Sequence, residues 1–236
     1  MLHKDYTTKK EDEFMGERVQ GHTLFRLSVF MVGLIIMSFG IVLLIVSDIG
    51  AAPWDVLHVG LNIRFGLTVG MWSIIVGIII LTISALLSKK VPQYGAFLNM
   101  IFVGVFIDLF MKLPFIQTPS HIISQYIMGI IGIIVIGIGM GIYISAQLGA
   151  GPRDSLMIAL TSITGWKIQY VRLTMEIVVV IVGGLLGGPI HLGTILFGVL
   201  IGPIGGVTIP YFQNLVHSFI AKLDSKNKYL KTSSFQ

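Results

Sequence analysis

The sequence predicts an all-α, polytopic membrane protein made of two homologous halves. Each half holds three spanning helices and a short re-entrant or half helix, and the halves are expected to be inverted repeats. Three observations carry this: the chain is strongly apolar, its apolar residues fall into six runs of bilayer length, and an uncommon Gly-Ala-x-Pro-x-Asp phrase occurs twice.

Hydrophobic residues make up 54% of the chain and charged residues 11%, with a mean hydropathy of +0.89. A soluble domain carries roughly 25% charged residues, so this balance belongs to a membrane protein. The long runs are Leu24–Val46, Thr68–Leu87, Val91–Leu113, Ile122–Ala146, Ile168–Leu186 and His191–Phe212. A helix rises about 1.5 Å per residue, so roughly 20 apolar residues cross a hydrocarbon layer of about 30 Å. Each run can cross once.

Residues 1–23 mix Lys, Arg, Asp and Glu ahead of the first run, and no small-residue cleavage site follows it. They read as a cytoplasmic tail rather than a signal peptide. Residues 213–236 read as a basic cytoplasmic C-terminal tail, which leaves 24–113 and 122–212 as two membrane repeats. The absence of Cys excludes disulfides, thiolate zinc sites and Cys nucleophiles. The net charge is +5, but Lys and Arg sit in tails and loop ends, where the positive-inside effect accounts for them. Nucleic acid is not an expected partner.

The phrases "GAAPWDVL" and "GAGPRDSL" place Gly50 and Gly149 99 positions apart. The same offset pairs Gly33 with Gly132, Gly40 with Gly139, Pro53 with Pro152, Asp55 with Asp154 and Gly66 with Gly165. One deletion near Pro92 then aligns Gly95–Gly104 with Gly193–Gly202. Matches of Ile and Leu arise by accident in apolar runs, whereas Gly, Pro and Asp are not interchangeable bilayer filler. The halves cover roughly Leu24–Phe110 and Ile123–Phe212.

Behind each phrase lies a short apolar segment, Pro53–Phe65 and Pro152–Thr164, of 13 residues. At about 20 Å as helix it is too short to cross alone. If these segments do not cross, each half crosses three times and the second half is upside down relative to the first. Charge agrees: with a cytoplasmic N-terminus, Lys89, Lys90, Arg153, Lys167, Arg172 and the C-terminal tail fall inside, while Gly187–His191 falls outside without Lys or Arg. Arg64 and Lys112 favour the alternative, in which the short segments cross and the halves are parallel.

Each phrase reads as a helix start. Pro at the first helical position loses only an N–H that would be unpaired anyway. Gly50 with Ala51, and Ala150 with Gly151, form the approach. Asp55 and Asp154 then fall in the first turn, at the positive end of the helix dipole. Two readings follow: the aspartates cap their own helices, or two half-helix N-termini from opposite sides enclose a polar site, and a carboxylate can do both.

The copies diverge around the shared acid. Trp54 corresponds to Arg153, Val56 to Ser155 and His58 to Met157. This makes Asp55, Asp154, Arg153, Trp54 and His58 candidates for binding a solute or ion, with Arg153 the counter-charge for an anionic group or else a snorkelling interfacial residue. Glu176 lies about nine residues into its run, deep enough to be a candidate proton or cation relay. Pairing with Arg172, one turn earlier, is its structural alternative. Asp108 reads as interfacial, and Asn62, Asn99 and Gln147 as interhelical hydrogen bonds. Gly137 and Gly141, Gly183 and Gly187, and Gly198, Gly202 and Gly206 have the spacing that lets membrane helices approach closely.

No phosphate loop, H-E-x-x-H or G-x-S-x-G pattern occurs, so an enzyme, a metal site and a cofactor are not expected. The twin phrases, with "GTILFGVLIGP" after the second, resemble the YczE/YyaS/YitT group of bacterial multi-pass membrane proteins, the YczE type above all. The resemblance covers Leu24–Phe212 and implies the bacterial cytoplasmic membrane, with both termini cytoplasmic in this topology. It carries over no catalytic or binding residue. The first copy departs from the motif, with Ala52 where the second has Gly151. YitT-type members continue into a soluble C-terminal domain that is not expected here, so no regulatory role is carried over.

The leading functional expectation is a secondary transporter or facilitator of a small solute. The rival is a non-transporting scaffold or accessory protein for an export or biosynthetic complex. The lipid bilayer is the common partner, joined by an unidentified solute in the first case, and by a second copy or another membrane protein where the chain assembles.

Overall fold

The computed structural model describes residues 22–149 and 151–233, with side chains described to residue 223. Most of the expected N-terminal tail lies outside the described residues, as does Ala150 of the second phrase. The described residues form eight helices: α1 (Thr23–Val46), α2 (Pro53–Phe65), α3 (Val69–Ser88), α4 (Tyr94–Met111), α5 (Ile122–Ser145), α6 (Pro152–Thr164), α7 (Ile168–Leu185) and α8 (Leu192–Ser233). Among the described residues there is no strand.

Six of these helices are long and apolar enough to cross a membrane, and they coincide with the six predicted runs. The short helices α2 and α6 have 13 residues each and begin on Pro53 and Pro152, as the phrases require. At the C-terminal end α8 continues past Phe212 to Ser233 as one helix, so the basic segment extends the last span. Its prolines are at 203 and 210, and neither Gly nor Pro follows, so nothing in the sequence stops the helix at the membrane surface.

The centre of the molecule is the crossing of α1 and α5. Gly33 lies against Tyr143, Gly40 against Ile136, Gly132 against Leu44 and Gly139 against Met37. Residue numbers rise along one helix as they fall along the other, so α1 and α5 run antiparallel. The approach is backbone to backbone, since a Cβ on Gly40 would lie 2.7 Å from the Ile136 nitrogen and one on Gly132 2.9 Å from that of Leu44. Phe30, Leu34, Ile133 and Ile136 fill the seam, with the rings of Phe30 and Tyr143 edge to face at 6.0 Å. Helix α4 joins α1 through Val103 and Ile107, and α8 joins α5 through Phe197 and Ile201.

The junctions into the two short helices share a backbone path. Asp48 (φ 61°) and Gln147 (φ 55°) are left-handed, and two residues later Gly50 and Gly149 have φ 122° and 132°, a conformation that glycine alone adopts readily. Each junction is held by the last helix of the other half. Gly193 donates its N–H to the Ile49 carbonyl at 2.7 Å, while Gly95 packs on the Leu148 carbonyl. The short helices cross over as well, α2 lying on α7 and α6 on α3.

The glycine spacings divide. Gly137 and Gly141 admit Ile204 and Thr208, and Gly183 meets the Leu57 backbone, so these are close-approach sites. Gly187 instead serves a turn at φ 93°. Gly198, Gly202 and Gly206 face open space, which corrects the expectation that they pack a helix of this chain. The helix α8 meets α5 through another face, the one carrying Ile201, Ile204 and Thr208.

Candidate functional site

The first turns of α2 and α6 point at one cavity of about 190 Å3. Trp54, Asp55, His58, Arg153, Asp154 and Glu176, the six residues singled out from sequence, all line it. Of the helix-start residues, Pro53, Gly151 and Pro152 also line it, while Gly50 and Gly149 lie further back and set the approach of the chain.

The aspartates hold equivalent places in sequence but have different partners. Asp55 is buried, with Oδ1 3.3 Å from His58 Nδ1 and 3.5 Å from Arg153 Nη2. The first contact lies within α2, and the second reaches across from the other half. Asp154 accepts a long hydrogen bond of 3.5 Å from the Tyr143 hydroxyl and one from the Gly151 backbone N–H. The Gly151 contact lies at the start of α6, in the place of an N-terminal cap.

Arg153 lies with its guanidinium carbon 5.3 Å from the centre of the Trp54 ring. The sequence left it as either a counter-charge or a snorkelling residue, and the structure turns it inward. There it holds a carboxylate and an aromatic face at once, a combination that suits a planar guanidinium. Glu176 accepts a 2.8 Å hydrogen bond from Arg172 Nε, the i,i+4 pairing that the spacing allowed.

Three lining residues were not singled out as site residues. Arg172 was named only as a partner of Glu176, yet it faces the cavity itself. Tyr143 reaches Asp154 from α5, and Asn99 lies on α4 beside Gly151, where a Cβ would come within 3.2 Å of its Oδ1. Polar groups inside otherwise apolar runs were the available signal for both. Gln147 does form the expected link between helices, accepting from Arg26 Nη1 at 3.2 Å. Asn62 does not, since it donates to the Leu67 carbonyl in the turn after its own helix. Asp108 caps α3, taking the Gly70 N–H at 2.8 Å and the Thr68 hydroxyl.

These features define a multi-pass helical membrane protein with a charged cavity where two short helices meet. The chain belongs to the family of unknown function DUF6198, whose model matches residues 24–210. It is 43% identical over 201 residues to the uncharacterized membrane protein YczE of Bacillus subtilis, covering 84% of this chain and 92% of that protein. The uncharacterized protein YyaS of the same organism is 31% identical, over 81% of this chain and 94% of the relative. An uncharacterized protein of Haemophilus influenzae is 32% identical, over 80% and 84%. No solved structure matches the chain.

Proposed function

We propose that this protein is a secondary transporter or facilitator of a small solute in the bacterial cytoplasmic membrane, working by alternating access between two inverted halves. The observation that carries the reading is the Arg153–Asp55 contact. It joins the first turns of the two short helices at 3.5 Å beside a cavity that both halves line. Broken helices whose N-termini converge on a polar site inside an apolar bundle are the usual design of inverted-repeat transporters.

The antiparallel course of α1 and α5 supports inversion, because helices in equivalent places of parallel halves run the same way. The mutual bracing of the junctions, Ile49 by Gly193 and Leu148 by Gly95, supports the duplication behind it. The basic residues Lys89, Lys90, Lys167 and the C-terminal tail support cytoplasmic termini through the positive-inside effect. Asp55 and Asp154 organise the site, and Glu176 pairs with Arg172 at its edge.

The test is transport in proteoliposomes exposed to a mixture of small amines, carboxylates and zwitterions, with vesicle contents read by mass spectrometry. Wild type should accumulate at least one solute above protein-free vesicles. Asp154→Asn and Glu176→Gln should insert and fold but lose that accumulation. The reading fails if wild type moves nothing from the mixture or if both variants match it.

A further inference from the structure

The charges around the cavity do not balance, and the geometry identifies the acid left over. Three carboxylates line it, those of Asp55, Asp154 and Glu176, against two guanidinium groups, those of Arg153 and Arg172. Arg153 contacts Asp55 and the Trp54 ring and Arg172 contacts Glu176, while both guanidinium groups also act on Asp154 at longer range. Asp154 has the Tyr143 hydroxyl and the Gly151 N–H, and among the described residues it has no cation within ion-pair distance. The α6 N-terminus offsets part of its charge, since a helix dipole amounts to about half an elementary charge.

A largely buried carboxylate without a direct ion pair, in a cavity whose acids outnumber its guanidinium groups, is costly, so it takes up either a proton or a cation. An anionic ligand fits poorly, because each guanidinium it needs already holds a carboxylate that would be left unpaired. A cation meets the same two guanidinium groups but leaves no carboxylate unpaired and offsets the excess negative charge. The lining also includes Met100, Met157 and Met175, side chains adaptable enough to cover a short hydrocarbon chain.

We propose that the cavity binds a small monovalent organic cation, a protonated amine whose ammonium pairs with Asp154, and that this cation exchanges with a proton on the same carboxylate. The exchange balances: the neutral acid and the free ammonium ion give the carboxylate–ammonium pair and one proton released. This rests on reading the cavity as a solute site and names the class of solute. It also reverses the sign expected from sequence, where Arg153 suggested an anion. The groups facing Asp154 from neighbouring elements are Tyr143 of α5, Arg172 and Glu176 of α7, and Asp55 and His58 of α2, with Arg153 on its own helix. Helices α3 and α4 contribute the uncharged Ser73 and Asn99.

The experiment is calorimetric titration of the full-length protein in nanodiscs with n-butylammonium and, separately, n-butyrate. Butylammonium should bind, with butyrate weaker by about tenfold or more. Butylammonium affinity should rise with pH by up to about tenfold per unit while Asp154 still carries its proton, and titration in two buffers of different ionisation enthalpy should show a proton released. Asp154→Asn should abolish binding, Asp154→Glu should keep it, and Lys89→Gln, on an exposed loop, should match wild type. Thermal unfolding of each variant establishes that it is folded.

Absence of butylammonium binding, tighter binding of butyrate, or undiminished binding by a folded Asp154→Asn variant overturns the proposal. The two readings fail separately. If a carboxylate accumulates in the vesicles and butylammonium does not bind, the transport reading stands and this one falls. If butylammonium binds as described and no solute crosses, the cation site stands and transport falls.

Discussion

Arg153 covers the face of Trp54 at 5.3 Å, and these are the residues that occupy equivalent places in the two Gly-Ala-x-Pro-x-Asp phrases. The point where the copies diverge is therefore a point where the halves touch. The same guanidinium lies 3.5 Å from the buried carboxylate of Asp55. Asp55 is buried while Arg153 is 37% exposed, so Arg153→Ala should destabilise the protein by about 1–3 kcal/mol and Asp55→Asn by less, since water reaches the guanidinium. The double variant should cost less than the two together. Arg153→Lys should recover only part of the loss, because an ammonium keeps the charge without the planar group that lies on the ring. Thermal unfolding in detergent checks the series, and additive costs would show that the contact carries no coupling.

The glycines give a ranking that separates backbone conformation from space. Gly165, at φ 69° and ψ 6°, has open surroundings, so alanine there should cost about 1–2 kcal/mol through conformation alone, and Gly66, at φ 74° and ψ −152°, should cost more because that region is essentially confined to glycine. At Gly50 and Gly149 the backbone is less accessible still, and a Cβ would lie 2.9 Å from the Thr194 nitrogen or the Gln93 Cβ. Gly50→Ala and Gly149→Ala should therefore cost more than Gly165→Ala. Gly198→Ala, in mid-helix with nothing near it, should stabilise the helix by about 1 kcal/mol. Unfolding temperatures read the order, and destabilisation by Gly198→Ala would mean that this face packs against another molecule.

What was legible in the sequence follows from what membranes demand of a chain. Span lengths, the Pro-started helices α2 and α6 and the cavity residues were readable because apolar length, proline and buried charge have few alternative uses in a bilayer. The pairings were not readable. That Asp55 takes Arg153 while Asp154 takes Tyr143 depends on which helices cross, and the sequence offset treats the aspartates as equivalent. The outward face of Gly198, Gly202 and Gly206 was misread because small-residue spacing is the same whether or not a partner helix is present. Arg26 was passed over because it stands near the start of an apolar run, where a cation is usually interfacial.

The inverted arrangement is open to a direct test, since the chain has no cysteine and any introduced thiol is unique. Lys89 and His191 follow α3 and α7, occupy corresponding loops and are exposed. Single variants Lys89→Cys and His191→Cys should react with a membrane-impermeant maleimide from opposite sides, the first from the cytoplasm. Labelling of both from one side would mean that α2 and α6 cross and that the halves are parallel.

Arg26 gives a prediction whose sign is not obvious. It is 3% exposed, and its Nη1 donates to the Ala146 carbonyl at 3.1 Å and to Gln147 Oε1 at 3.2 Å, holding the end of α5 where the chain turns into the second phrase. A cation at a helix C-terminus is favourable, but burying one is costly, and the balance depends on its acceptors. Gln147→Ala removes one acceptor and keeps the buried charge, so it should destabilise by about 1–3 kcal/mol. Arg26→Met removes the charge along with its desolvation cost and keeps the volume, so it should cost less. In the Arg26→Met background, Gln147→Ala should then have little further effect, because the amide has lost the group it served. Unfolding temperatures of the two single variants and the double variant decide this. If Arg26→Met proves the more damaging single change, the bond to the Ala146 carbonyl outweighs the cost of burying the guanidinium.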